Sequence, residues 1–174
     1  VGSEMCIRDR IDGGGFRCGG SFGFEIAGDI TNINSSARGY SNVGLDGVDL
    51  VISGNISLPT SASNLNFEGS EGKDNGSWTV TGNITGLANV LLQNNFDNGE
   101  LTLSGTNTYT GTTTIGGNIV GGTMFLNGSH TGGGNYIVNN STLAGTGSTE
   151  SNVTIQNNGT LSPGGTGIGT LSVG

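Results

Sequence analysis

Few residues in this 174-residue chain are of types that do chemistry, and their spacing limits what each could serve. Asp46 and Asp49, separated by Gly47 and Val48, could share a hard cation such as Ca²⁺, which takes clustered oxygen ligands. Glu68, Glu71 and Asp74 form a second acidic group. Neither spacing matches an EF-hand loop or the glycine–aspartate nonapeptide of calcium-binding β-rolls, so both groups read as solvated loop acids. His130 is the single histidine, set between Ser129 and Thr131 with glycines beyond. With no neighbouring Cys and no second His, neither a zinc set nor a catalytic triad is assembled around it, and a turn position is expected. The run Gly132-Gly133-Gly134 lacks the Lys-Ser/Thr of a phosphate-cradling loop, and no helical pattern follows it. Asn107 and Tyr109 have two readings. Tyr109 could face outward as a platform for stacking a sugar. Alternatively Asn107 bonds local backbone at a corner while Tyr109 packs along its strand or over the coil, and this structural reading is favoured. No catalytic, cofactor-binding or metal-ligating residue is assigned, no cofactor is expected, and the chain is not read as an enzyme.

The elements that must position these residues are short strands. Leu101 and Leu103 alternate with Thr102 and Ser104, which puts both leucines on one face of an extended segment. Gly105, Thr106 and Asn107 interrupt it with residues that tolerate a sharp corner. Thr112 to Ile115 is β-branched throughout, which favours a strand over a helix. Met124 and Leu126 repeat the alternation after a glycine pair. Similar apolar pairs recur from Leu50 and Ile52 through Leu65 and Phe67, Trp78 and Val80, and Val90 and Leu92 to Leu171 and Val173. Strands this short cannot hold as isolated hairpins, but stacked in parallel each would pair above and below around a thin apolar column. Helical spacing of apolar residues is always broken by Gly or Asn, so no helix is expected. The 36 glycines are about three times the usual share. They have no period of three, which excludes collagen. The expected fold is an all-β, right-handed parallel β-helix, a solenoid present as a fragment.

Charge narrows the partners. The net charge is −8 with only 10% of residues charged, and outside the first ten residues only Arg17, Arg38 and Lys73 are cationic. Nucleic acid, whose binding requires a cationic footprint, is excluded as a partner, and an anionic lipid surface is disfavoured. Sequons from Asn34 to Asn158 are what a chain rich in Asn, Ser and Thr contains by chance.

The same strand residues carry a resemblance. Leu101-Thr102-Leu103-Ser104-Gly105, then Asn107-Thr108-Tyr109-Thr110-Gly111 and Thr113-Thr114-Ile115, resembles the passenger-associated β-strand repeat of bacterial autotransporters. Gly159-Thr160-Leu161-Ser162-Pro163-Gly164 followed by Ile168-Gly169-Thr170-Leu171-Ser172-Val173 resembles the segment that often closes such a block. Trp78 to Asn94 resembles the lead-in less closely. The resemblance implies a passenger β-helix at the cell surface or secreted, anchored at the outer membrane through a translocator barrel in the same full-length chain. It carries no catalytic residues, and scarce cysteine accords with it; Cys6 and Cys18 are read as unpaired thiols.

Residues 1–10, which gather Met5, Cys6, Arg8 and Arg10, resemble translated sequencing-adapter read-through and are set aside. Residues 11–47 are read as an irregular N-terminal rung or cap, and 48–174 as the β-helix repeats. Residues 59–77 are expected to hold a protruding surface loop. The chain stops within a strand pattern at Leu171-Ser172-Val173-Gly174, so the native protein is expected to continue. The leading functional expectation is a structural stalk that presents or contributes to adhesion. The alternative is an adhesin module that binds glycans, host proteins or its own kind through Thr/Asn ladders and residues 68–76. A remote third is a polysaccharide-cleaving β-helix enzyme, for which the acids beyond Leu101 are too sparse. Inward positions are expected for Leu103, Ile115, Leu126, Val138, Ile155 and Leu171.

Overall fold

A computed structural model of the chain describes residues 16–18, 24–31, 38–42, 49–59, 61, 64–68, 77–92, 99–117 and 121–174. Among them are twenty short strands and no helix. They come in rounds of three. The first round is β1 (Phe16–Cys18), β2 (Phe24–Ile26) and β3 (Ile30–Thr31), and the second β4 (Arg38–Asn42), β5 (Asp49–Ile52) and β6 (Ile56–Leu58). Then follow β7 (Asn64–Glu68), β8 (Ser77–Val80) and β9 (Ile84–Gly86), and β10 (Asn89–Leu92), β11 (Glu100–Leu103) and β12 (Thr106–Asn107). The next rounds are β13 (Thr113–Gly116), β14 (Thr123–Leu126) and β15 (Ser129–His130), and β16 (Tyr136–Asn139), β17 (Thr142–Gly145) and β18 (Ser148–Thr149). Last come β19 (Val153–Gln156) and β20 (Thr160–Pro163), with a single bridge from Ser148 to Ser172.

Each strand pairs in parallel with the strand three further along the chain, with one exception between β9 and β12. Two seven-stranded sheets result, β1-β4-β7-β10-β13-β16-β19 and β2-β5-β8-β11-β14-β17-β20. The third column divides into β3-β6-β9 and β12-β15-β18. Parallel neighbours cannot be joined by a tight turn. Here the other two strands of each round serve as the crossover. The expected all-β, helix-free, parallel arrangement from residue 48 onward is therefore present in the described residues. Four of the strands, β1 to β4, fall within 11–47.

Alternation supplies the core. In the second sheet Leu50, Trp78, Leu101 and Met124 lie in register, as do Ile52, Val80, Leu103 and Leu126. Exposure among them is at most 3%, while Thr79 and Thr102 between them are only partly covered. The first sheet aligns Phe67, Leu92, Ile115 and Val138, again almost fully buried. Trp78 meets Phe67 edge-on, with ring centroids 5.6 Å apart, which joins the two sheets. All three columns contribute to one apolar cluster.

The protruding loop expected within 59–77 falls largely on residues 60, 62–63 and 69–76, which lie outside the described residues; between them runs β7, whose alternation Asn64-Leu65-Asn66-Phe67 buries Leu65 and Phe67 fully. One expectation needs correction. Ile155 is 43% exposed rather than enclosed. It stands in register with Val138, but β19 is the end strand of its sheet, so no described layer covers its other side. Leu103, Ile115, Leu126, Val138 and Leu171 are buried as expected.

Candidate functional site

The chemically distinctive region is the third column, whose interior changes character midway. In β3, β6 and β9 the inward residues are Ile30, Ile56 and Ile84, in register. In β12, β15 and β18 the corresponding residues are Asn107, His130 and Thr149, all buried. Asn107 makes the junction. Its side-chain Oδ1 accepts the Ile84 N–H at 2.9 Å, while the Thr108 N–H donates to the Ile84 carbonyl at 2.9 Å. A side-chain amide thus takes the place of a ladder carbonyl, which is why the column divides between β9 and β12. Its Nδ2 donates locally to the Gly105 carbonyl at 3.4 Å. The expected local bond exists, but the stronger one crosses layers. Asn107→Ala should leave the buried Ile84 N–H unpaired and cost about 1–3 kcal/mol. Amide exchange should show it most clearly at Ile84; unchanged protection there would mean that the bond contributes nothing.

Behind Asn107 lies a stack of rings. Tyr109, His130 and Tyr136 are each fully buried. The Tyr109 and His130 rings lie face to face, with centroids 4.1 Å apart and planes at 19°, and Tyr136 meets His130 edge-on at 5.5 Å. Such pairs add about 0.5–1.5 kcal/mol beyond area burial. The Tyr109 hydroxyl is 2.6 Å from Thr113 Oγ1. His130 Nε2 is 2.8 Å from the Tyr109 carbonyl oxygen, which can only accept, so Nε2 carries the proton. Nδ1 is then a bare lone pair, buried without a hydrogen-bond partner. The Tyr136 hydroxyl approaches Tyr109, Thr113 and Thr149 but meets none of them in hydrogen-bond geometry.

Burial sets the electrostatics of this cluster. It drives the Tyr109 phenol well above its ordinary 10.0, reinforced by Tyr136, and raises Tyr136 as well. Burial also lowers His130 below its ordinary 6.5, partly opposed by its bond to the Tyr109 carbonyl. All three rings are therefore neutral at pH 7. A histidine between two tyrosines could in principle pass a proton, but rings with no exposed surface cannot meet a substrate in this conformation. Their work here is packing. His130 is accordingly not the turn residue expected: it is an interior member of a two-residue strand. Tyr109 is inward, in agreement with the structural reading.

The corners form a second system. A Cβ placed on Gly54 would overlap the Gly28 carbonyl, and one on Gly82 the Gly54 carbonyl. The relation continues through Gly105 on Gly82, Gly128 on Gly105 and Gly147 on Gly128. Each of these glycines follows a second-sheet strand and stacks directly on the one before. The next residue caps the following layer: Asp29 Oδ1 accepts the Asn55 N–H at 2.7 Å, Asn55 Oδ1 the Asn83 N–H at 3.0 Å, and Asn83 Oδ1 the Thr106 N–H at 2.8 Å. The sequence signal for this ladder is a Gly followed by Asp, Asn, Thr or Ser after each apolar pair, as in Gly28-Asp29, Gly54-Asn55, Gly82-Asn83, Gly105-Thr106, Gly128-Ser129 and Gly147-Ser148.

The remaining sequence candidates fall only in part on the described residues. Asp49 begins β5 and Glu68 ends β7, whereas Asp46, Glu71 and Asp74 lie outside the described residues. Cys18 ends β1 and Cys6 lies outside the described residues. Among the described residues no group of three His, Cys, Asp or Glu side chains is placed to hold a metal ion. Gly132 and Gly134 sit over the carbonyls of Tyr109 and Gly111, which makes the triple-glycine run a closely stacked corner. No protein-family model, curated protein or solved structure matches this chain.

Proposed function

We propose that this chain is a stalk segment of a bacterial autotransporter passenger, a right-handed parallel β-helix that presents or contributes to adhesion at the cell surface. The observation that carries the reading is the repeated parallel pairing of each strand with the third one along, layer on layer. Such an array gains length by repetition, because each layer is satisfied by its neighbours alone. Right-handed crossovers are the rule for parallel strands in one sheet. The motif residues behave as a spacer's would: Asn107 and Tyr109 face inward, and Gly111 leaves room for the Ala88 carbonyl. The outer membrane barrel of the same full-length chain is the proposed anchor.

The test is topological. The complete reading frame is expressed in a Gram-negative host, and intact cells are treated with protease. Antibody reactivity against residues 77–174 is expected to be lost or released from intact cells, while a periplasmic marker survives. Reactivity that persists until the cells are lysed would overturn the reading.

One observation favours adhesion as a second reading. The outer face of the second sheet sets Thr123, Thr142 and Thr160 in register, and two residues further along their strands Thr79 and Thr102 pair in a second row, so that one face carries two short runs of hydroxyls suited to hydrogen-bonding a glycan. Retention of the chain on immobilised polysaccharide, lost in Thr102→Val with Thr123→Val, is the expected result.

A further inference from the structure

We propose that the Tyr109–His130–Tyr136 stack is an acid-sensitive latch: protonation of His130 opens the third column from β12 to β18 while the isoleucine-lined layers before it stay closed. The inference rests on where the ring's two nitrogens point. Nε2–H is already committed to the Tyr109 carbonyl, and Nδ1 is buried with no partner. A proton can be added only at Nδ1. That creates a buried imidazolium whose new N–H has no acceptor, and a buried charge is tolerated only when paired.

Among the described residues nothing packed against the ring supplies that pairing. From β12 and the residues after it come Asn107 and Tyr109; from β13 and β16, Thr113 and Tyr136; from β18, Thr149. The titratable groups among these are the two phenols, both held neutral by burial. The inward second-sheet residues Leu103, Met124 and Leu126 are likewise apolar and buried. Glu150 donates its backbone N–H to the His130 carbonyl at 3.3 Å, but Glu150 is solvent-exposed and its position in the alternation directs it away from the interior. The tyrosine faces offer a cation some attraction, which is small beside the loss of hydration.

The architecture makes opening the easier response. β12, β15 and β18 are each two residues long, so little ladder must break to release the ring to water. The layers of Ile30, Ile56 and Ile84 hold no titratable side chain in the same column. The sign is fixed by linkage. The opened state binds a proton near the ordinary value of 6.5 and the closed state only below it. Closure is therefore complete above about pH 6.5 and weakens as pH falls through that value, by up to about tenfold in the opening constant per pH unit.

The experiment is residue-resolved amide exchange on the full 174-residue chain between pH 7.5 and 4.5, corrected for intrinsic exchange. The reporters are Thr131, whose N–H bonds the Asn107 carbonyl at 3.0 Å, and Glu150; the internal reference is Ile56, bonded to the Asn83 carbonyl at 2.8 Å. Below pH 6.5 opening at Thr131 and Glu150 is expected to rise, by up to about tenfold per unit, with Ile56 unchanged, and His130→Gln should abolish the pH dependence. Identical profiles in parent and variant, or a rise at Ile56 in step with Thr131, would overturn the proposal. Should His130→Gln not fold, the single imidazole resonance of the parent decides. A resonance that titrates normally at 6.5 while Thr131 stays protected overturns the latch, and one that resists protonation until Thr131 opens supports it.

Discussion

Gly105→Val is expected to lower the stability of the chain by about 3 kcal/mol or more, read as a fall in the urea midpoint. A Cβ at Gly105 would overlap the Gly82 carbonyl, a backbone atom that cannot swing aside as a side chain could. Relief requires the two layers to move apart, and that strains the Asn83–Thr106 and Asn107–Ile84 bonds beside the corner. Two other glycines separate the causes. Gly133 has φ +85 with nothing within 4 Å of a built Cβ, so Gly133→Ala tests backbone conformation alone and should cost about 1 kcal/mol. Gly117 has neither constraint, and Gly117→Ala should fall within about 0.5 kcal/mol of the parent. If all three substitutions cost the same, the corner ladder is not what sets the layer spacing.

Leu103→Asp should cost about 4 kcal/mol or more, the combined loss of a buried leucine and burial of an unpaired carboxylate. Leu103 is fully buried, with Val80 and Leu126 in register on either side. Thr102→Asp on the same strand is the control. Its side chain points to the opposite face, so the added charge remains hydrated and the cost should stay below about 1 kcal/mol. Protease resistance over a temperature series distinguishes the two variants. Equal sensitivity would mean that β11 does not present Leu103 to the core.

Both experiments draw on features that differ in how plainly the sequence displays them. The alternation of Leu101 with Leu103, or Met124 with Leu126, is a local property: period two in a run of extended residues puts both on one face whatever they pack against. Strand existence, the absence of helix among the described residues and most of the core followed from it. The inward position of Tyr109 agrees with the structural reading of that residue, but only the structure placed it on the interior face with Asn107. In a two-residue strand, however, there is no period to read. Ser129-His130 carries no sign of which residue faces in, and only its register beside Thr106-Asn107 and Ser148-Thr149 placed His130 in the interior.

The corner ladder was hidden for a related reason. Its capping partners lie 26, 28 and 23 residues apart, because the connections between strands differ in length from round to round. A repeat with a drifting period leaves no fixed interval to find, and stacking alone brings the glycines together. Ile155 shows the opposite limit. Its side chain has the right type and the right alternation, yet burial depends on a layer on each side, and that is a property of the stack rather than of the strand. The sequence by itself determined which segments are extended and which faces are apolar, since both follow from short-range sterics and hydration. Tertiary structure alone decided which glycines touch, which asparagine completes a neighbour's ladder, and that the one histidine is enclosed between two tyrosines. Those contacts join residues that only parallel stacking brings within reach.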